Sequence, residues 1–120
     1  MEIKNAQKTV KDFDEKRGWK GDWLIKDLGL NVVEEVGELW NLVKWVDEEK
    51  QRQVIKENKQ EAEDFIGDAL FLILKMANKM EVDVEKSFNM TMEDYERRFP
   101  PEKTKKAGHG NKRIGGVDEK

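Results

Sequence analysis

Apolar residues recur at three-to-four spacing along most of the chain, and no segment alternates convincingly with the period of two that a half-buried strand requires. Ile3, Ala6, Val10 and Phe13 predict a first helix over residues 1 to about 17, stopped by Gly18. A short connector, Trp19 to Trp23, precedes a second helix from about Leu24 to Val46. Its core stripe is Leu28, Val32, Val36, Leu39, Val43 and Val46. Asp47 to Lys59 is heavily charged, and Val54 and Ile55 predict that it is partly helical. The third helix, about Gln60 to Met80, is the most apolar segment; from Ala69 onward it is apolar nearly all round, the mark of a buried helix. Glu81-Val82-Asp83 reads as a turn, with Asp83 placed to cap a fourth helix that runs to about Arg98. Pro100 and Pro101 end whatever precedes them. The pattern predicts an all-α fold, an antiparallel bundle of about four helices completed by oligomerisation. Residues 1–101 form its domain and residues 102–120 a flexible basic tail.

Composition sharpens this. Charged residues make up 41% of the 120 and hydrophobic residues 37%, which suits long helices with solvated faces or a small subunit that completes its core with a partner. The net charge of −3 argues against a nucleic-acid-binding surface. No apolar run approaches the roughly 20 residues of a membrane span, and the first residues lack the apolar core of a signal peptide, so a cytoplasmic protein is expected. Thiolate chemistry is excluded by the absence of cysteine, and a multi-histidine metal site by the presence of His109 alone. Any metal would be held by oxygen, which favours magnesium, manganese or calcium. A calcium loop of the D-x-D-x-D-G type does not occur.

The acidic residues carry the chemical signal. At about 100° per residue, Glu34, Glu35 and Glu38 share one face of the second helix, beside its apolar stripe, and no lysine or arginine lies within one turn of them. Glu61, Asp64 and Asp68 form a matching stripe on the third helix, with Asp68 just ahead of the apolar run. Crowded like charges raise one another's pKa values unless a cation sits between them. Two such stripes facing each other across an antiparallel pair make a good site for a hard cation. Gly37 and Gly67 stand beside the stripes, each inside a helix at a cost of about 1 kcal/mol against alanine, where a partner helix or ligand can approach closely.

Glu34-Glu35-Val36-Gly37-Glu38-Leu39 followed by Glu61-x-x-Asp64 resembles the E-E-x-x-E and E-x-x-D signature of the all-α nucleoside triphosphate pyrophosphohydrolases, the MazG-like superfamily that includes the dimeric dUTPases. The resemblance spans about residues 10–100. It extends to Arg17-Gly18-Trp19, Asn41 to Trp45, Met76-Ala77-Asn78, Val82-Asp83 and Arg97-Arg98-Phe99-Pro100. Many relatives place the E-x-x-D aspartate directly before the apolar run, which here is Asp68 with Phe65 three residues earlier. Either Glu61 and Asp64 are the pair, or Asp64 and Asp68 share its role. The fourth helix carries Met90 and Tyr95 where relatives often carry lysine or asparagine.

The resemblance implies hydrolysis of a (deoxy)nucleoside triphosphate to monophosphate and pyrophosphate, in the service of nucleotide-pool house-cleaning. The cofactor would be Mg2+, or Mn2+, and the protein a homodimer or homotetramer. Glu35, Glu38, Asp64, Asp68 and Glu61 are the implied metal ligands. Glu34, with Glu35, is the implied catalytic carboxylate that positions or deprotonates water. Arg98, with Arg97, Lys75 or Lys79, would meet phosphate oxygens. Trp19 and Trp45 offer indole faces to a nucleobase, and Asn78 a hydrogen bond to its edge. Two other readings fit the residues: a non-catalytic helical scaffold that binds a protein partner, and a phosphoribosyl-ATP pyrophosphohydrolase.

Overall fold

The computed structural model describes residues 1–19 and 23–107, the side chains of Lys106 and Ala107 excepted, and the fold is all-α. Six helices lie among these residues: α1 (Ile3–Lys16), α2 (Ile25–Val43), α3 (Glu48–Glu57), α4 (Lys59–Lys79), α5 (Val84–Arg98) and α6 (Pro101–Ala107). Met1–Val84 forms one compact unit, and α5 and α6 belong to a second that begins at Glu85.

In the first unit α4 is the central element and packs against α1, α2 and α3. The charged segment after α2 is the full helix α3; it turns the chain back so that α4 runs alongside α2. The buried apolar side chains are few: Val10 from α1, Leu28 from α2, and Leu72, Leu74 and Ala77 from α4. The expectation that α4 is buried all round does not hold within one chain. Ile66, Leu70 and Ile73 each show 45–62% of their surface.

α1 and α4 end in the same way. At the end of α1 the Trp19 amide donates to the Asp14 carbonyl and the Gly18 amide to the Glu15 carbonyl. At the end of α4 the Val82 amide donates to Ala77 and the Glu81 amide to Asn78. Both are Schellman turns, which need a left-handed residue just past the cap. Gly18 meets that need at φ 67°, where it carries no Cβ; Glu81 meets it at φ 57° with a side chain. The Gln7 side chain locks the second turn to α1. Its Nε2 donates to the Val82 carbonyl at 2.7 Å, and its Oε1 accepts from the Val84 amide at 3.1 Å.

In the second unit Arg97 and Arg98 both pair with Asp94, the latter at 3.3 Å, and Tyr95 meets Phe99 edge to face. The two prolines do more than stop α5. Pro101 is the first residue of α6, where its fixed φ suits a helix start and its missing N–H is no loss. The predicted tail therefore begins as helix, and its residues from 108 lie outside the described ones.

Replacing Glu81 by glycine relieves the strained left-handed position. Urea unfolding of Glu81→Gly is expected to give a stability gain of about 1 kcal/mol, and a loss would show that the Glu81 side chain makes up for its backbone.

Candidate functional site

Two acidic stripes meet where α2 and α4 pack. Glu35 and Glu38 from α2 and Glu61, Asp64 and Asp68 from α4 line one cavity of about 240 Å³, floored by Leu39, Leu42 and Phe65. No basic side chain lines it. Glu35 is half-buried there, and its carboxyl is held above the ordinary glutamate range. Burial is the main cause, followed by the neighbouring charges of Glu38, Asp68, Glu34 and Asp64. Glu34 contributes to that field but does not line the cavity. Glu61, Asp64 and Asp68 all reach it, so both registers of the second acidic motif end at one place. Among the described residues no three acidic or histidine side chains are already drawn together around one point. The donor set is nevertheless that of a hard cation: five carboxylates, repelling one another, with nothing positive between them.

A second cavity, about 310 Å³, opens between the C-terminal ends of α1 and α4. It is lined by Lys11, Asp14, Glu15 and Trp19 on one side and by Lys75, Asn78, Lys79 and Glu81 on the other. The Schellman turn at Gly18 folds Trp19 back on Phe13, whose ring lies 5.9 Å away edge to face. Trp19 also stacks with Trp23 at 5.8 Å. Lys75 and Asp14 are both buried and meet at 3.2 Å. The Lys75 ammonium lies 3.8 Å from the centre of the Trp23 ring and 5.0 Å from that of Trp19. Asn78 donates to the Gln7 carbonyl at 3.2 Å, tying α4 to α1 as it lines the cavity.

The two cavities share a face of α4. At about 100° and 1.5 Å per residue, Asp64, Asp68, Phe71, Lys75 and Asn78 fall along one side of that helix, and Lys75 lies about 10 Å beyond Asp68 along the axis. Trp45 lies past the end of α2, 87% exposed, with the Lys44 ammonium 5.9 Å from its ring centre, and it lines neither cavity. Arg98 belongs to the second unit. Sequence reasoning missed the partnership of Lys75 with Asp14 and the place of Trp23. The signal was a lone lysine inside an apolar run, Leu70 to Leu74 followed by Lys75 and Met76.

No family model matches the chain, and no curated protein does. Among solved structures the chain is similar to the crystal structure of a pyrophosphatase from Archaeoglobus fulgidus. The two are 25% identical, the match covers 82% of this chain and 92% of that one, and the TM-score is 0.71. The bundle is thus a pyrophosphatase-like all-α fold.

The crowding at Glu35 has a pH signature. A carboxyl whose pKa is raised on folding contributes stability below its ordinary value of 4.5, and that contribution is lost as pH rises through the folded value. Glu35→Gln is therefore expected to melt higher than the parent at neutral pH in metal-free buffer, with the difference vanishing below about pH 4.5. Scanning calorimetry across that range checks it; equal melting at all pH values would mean that the acids do not strain one another.

Proposed function

We propose that the chain is a metal-dependent nucleoside triphosphate pyrophosphohydrolase of MazG-like type, which converts (deoxy)nucleoside triphosphates to monophosphate and pyrophosphate as a nucleotide-pool house-cleaning enzyme. The observation that carries the reading is the cavity between α2 and α4, where five carboxylates meet without a counter-charge. The likeness to a protein named a pyrophosphatase supports it.

Glu38, Asp64 and Asp68, with Glu61 and Glu35, would hold Mg2+ or Mn2+. Bound there, the cation supplies neutralisation of the polyphosphate and Lewis acidity at neutral pH. The chain's own groups do the rest. Water attacks the α-phosphorus, the bond to the α–β bridging oxygen breaks, and pyrophosphate leaves. Glu34, or Glu35 where the cation leaves it free, would position that water and take its proton. The second cavity lies along the same face of α4 at about the reach of a triphosphate and sugar. There the Trp19 indole offers a stacking surface for the base, and Lys11 and Lys79 stand at its walls.

The open apolar faces imply the assembly. Val33, Val36 and Trp40 on α2 show 49–65% of their surface, as do Ile66, Leu70 and Ile73 on α4 at 45–62%. Helical geometry turns both stripes to the side of the α2–α4 pair away from α1. Gly29 and Gly37 lie within the α2 stripe, and a Cβ at either would meet nothing within 4 Å. An apolar face repeated on every copy can pair with itself about a two-fold axis. Its six large side chains are on the order of the apolar share of a standard interface, about 800 Å² per partner. A second copy of this chain is the occupant we assign, giving a homodimer or a dimer of dimers.

Two experiments test this. A panel of nucleoside triphosphates with magnesium or manganese is expected to release pyrophosphate rather than phosphate. Glu38→Gln should lose at least about 100-fold in kcat and also lose the magnesium-induced rise in melting temperature. A parent protein that hydrolyses nothing in the panel and melts without regard to millimolar magnesium would overturn the reading. For the assembly, light scattering should give a dimer or larger at micromolar concentration, and Val33→Glu with Ile66→Glu should give 14.1 kDa. A parent that is already monomeric would show that the face is left to another segment of the chain or to a different protein.

A further inference from the structure

Lys75 is the least expected side chain in the first unit. It is 2% exposed, in the apolar run of α4, and it meets the carboxylate of Asp14, 61 residues away. Stability does not demand it. Removing two charges from water costs several kcal/mol per ion, and replacing a buried pair by well-packed apolar groups is often neutral or stabilising. An apolar residue would fill the same space; what it would lack is a point charge.

That charge acts on aromatic faces. The ammonium lies 3.8 Å from the Trp23 ring centre, 5.0 Å from Trp19 and 5.7 Å from Phe71, all within the range of cation–π attraction. Its partner Asp14 supplies the carbonyl that accepts the Trp19 amide in the turn closing α1. Backbone and side chain of Asp14 thus act on the same tryptophan, one directly and one through Lys75. Trp19 keeps 37% of its surface open and lines the 310 Å³ cavity, while Trp23 stacks behind it with 20° between the ring planes.

We propose that Lys75, clamped by Asp14, is a positioning residue that sets the Trp19–Trp23 pair as a fixed aromatic wall for a planar ligand, the base of the nucleotide. The proposal rests on the nucleotide reading of the site, but its first consequence concerns the free protein. Without the ammonium the two indoles lose the charge that holds them, and the wall loosens while the helices stay packed. The ligand is then bound less tightly, with the chemistry at the acidic cavity unchanged.

Lys75→Met keeps an unbranched side chain and removes the charge; the double variant Asp14→Asn with Lys75→Met also removes the carboxylate that would be left buried and unpaired, and serves if the single variant does not fold. Iodide quenching of tryptophan emission, measured without nucleotide, is expected to increase in the variants relative to the parent. KM for the hydrolysed triphosphate should rise about tenfold, with kcat kept within about twofold. Lys75→Arg, which keeps a cation over the rings, should restore both readouts. Parent-like quenching and parent-like KM in Lys75→Met would overturn the proposal. So would altered quenching with KM unchanged, or a fall in kcat alone. If the parent hydrolyses no triphosphate, the enzymatic reading fails, and the quenching series then decides by itself whether Lys75 orders the wall.

Discussion

The seam between α2 and α4 gathers like charges that nothing among the residues lining it neutralises. Glu35 registers the strain most clearly, because it is half-buried and feels Glu38, Asp68, Glu34 and Asp64 together. An apolar seam would hold the two helices with less conflict. A hard cation held between such carboxylates would relieve the conflict, which is the physical ground of the metal-dependent function proposed above. α3 lies between α2 and α4 in the chain, reverses its direction and brings α4 back alongside α2.

The far half of α4 follows the opposite electrostatic rule. There the buried cation Lys75 is paired with a carboxylate and covered by aromatic rings. Among the described residues no buried side-chain polar atom lacks a hydrogen-bond partner. One helix face therefore runs from an unneutralised acidic end to a neutralised aromatic end. Under the function proposed above, a cation-bound polyphosphate would lie at the acidic end and a planar base at the aromatic end. The matched turns at Gly18 and Glu81 frame the aromatic end, and Gln7 fastens the second of them to α1.

A small interior bears on both ends. Among the described residues five buried apolar side chains make a thin core for the first unit, and Val33, Val36, Trp40, Ile66, Leu70 and Ile73 stay exposed on the side of α2 and α4 away from α1. The sequence pattern had marked α4 as apolar nearly all round. A helix of that kind in a thin unit has more apolar surface than its own chain can cover.

Much of the fold was legible in the residues alone. Helix positions came within a few residues because amphipathic period is local, and the acidic stripes were visible because three-to-four spacing places carboxylates on one face whatever the helix packs against. Gly18 announced its turn. Glu81 did not, since a glutamate at a left-handed position has no sequence signal. Which acids share a cavity was decided by packing: Glu61, Asp64 and Asp68 all reach it, while Glu34, from the same motif as Glu35, does not. Lys75 and Asp14, 61 residues apart, and Gln7 and Val82, 75 apart, are joined by single contacts that no periodicity encodes. Local spacing is written along the chain and can be read from it. A pairing between distant helices depends on their relative rotation and depth, which exist only once the helices have packed.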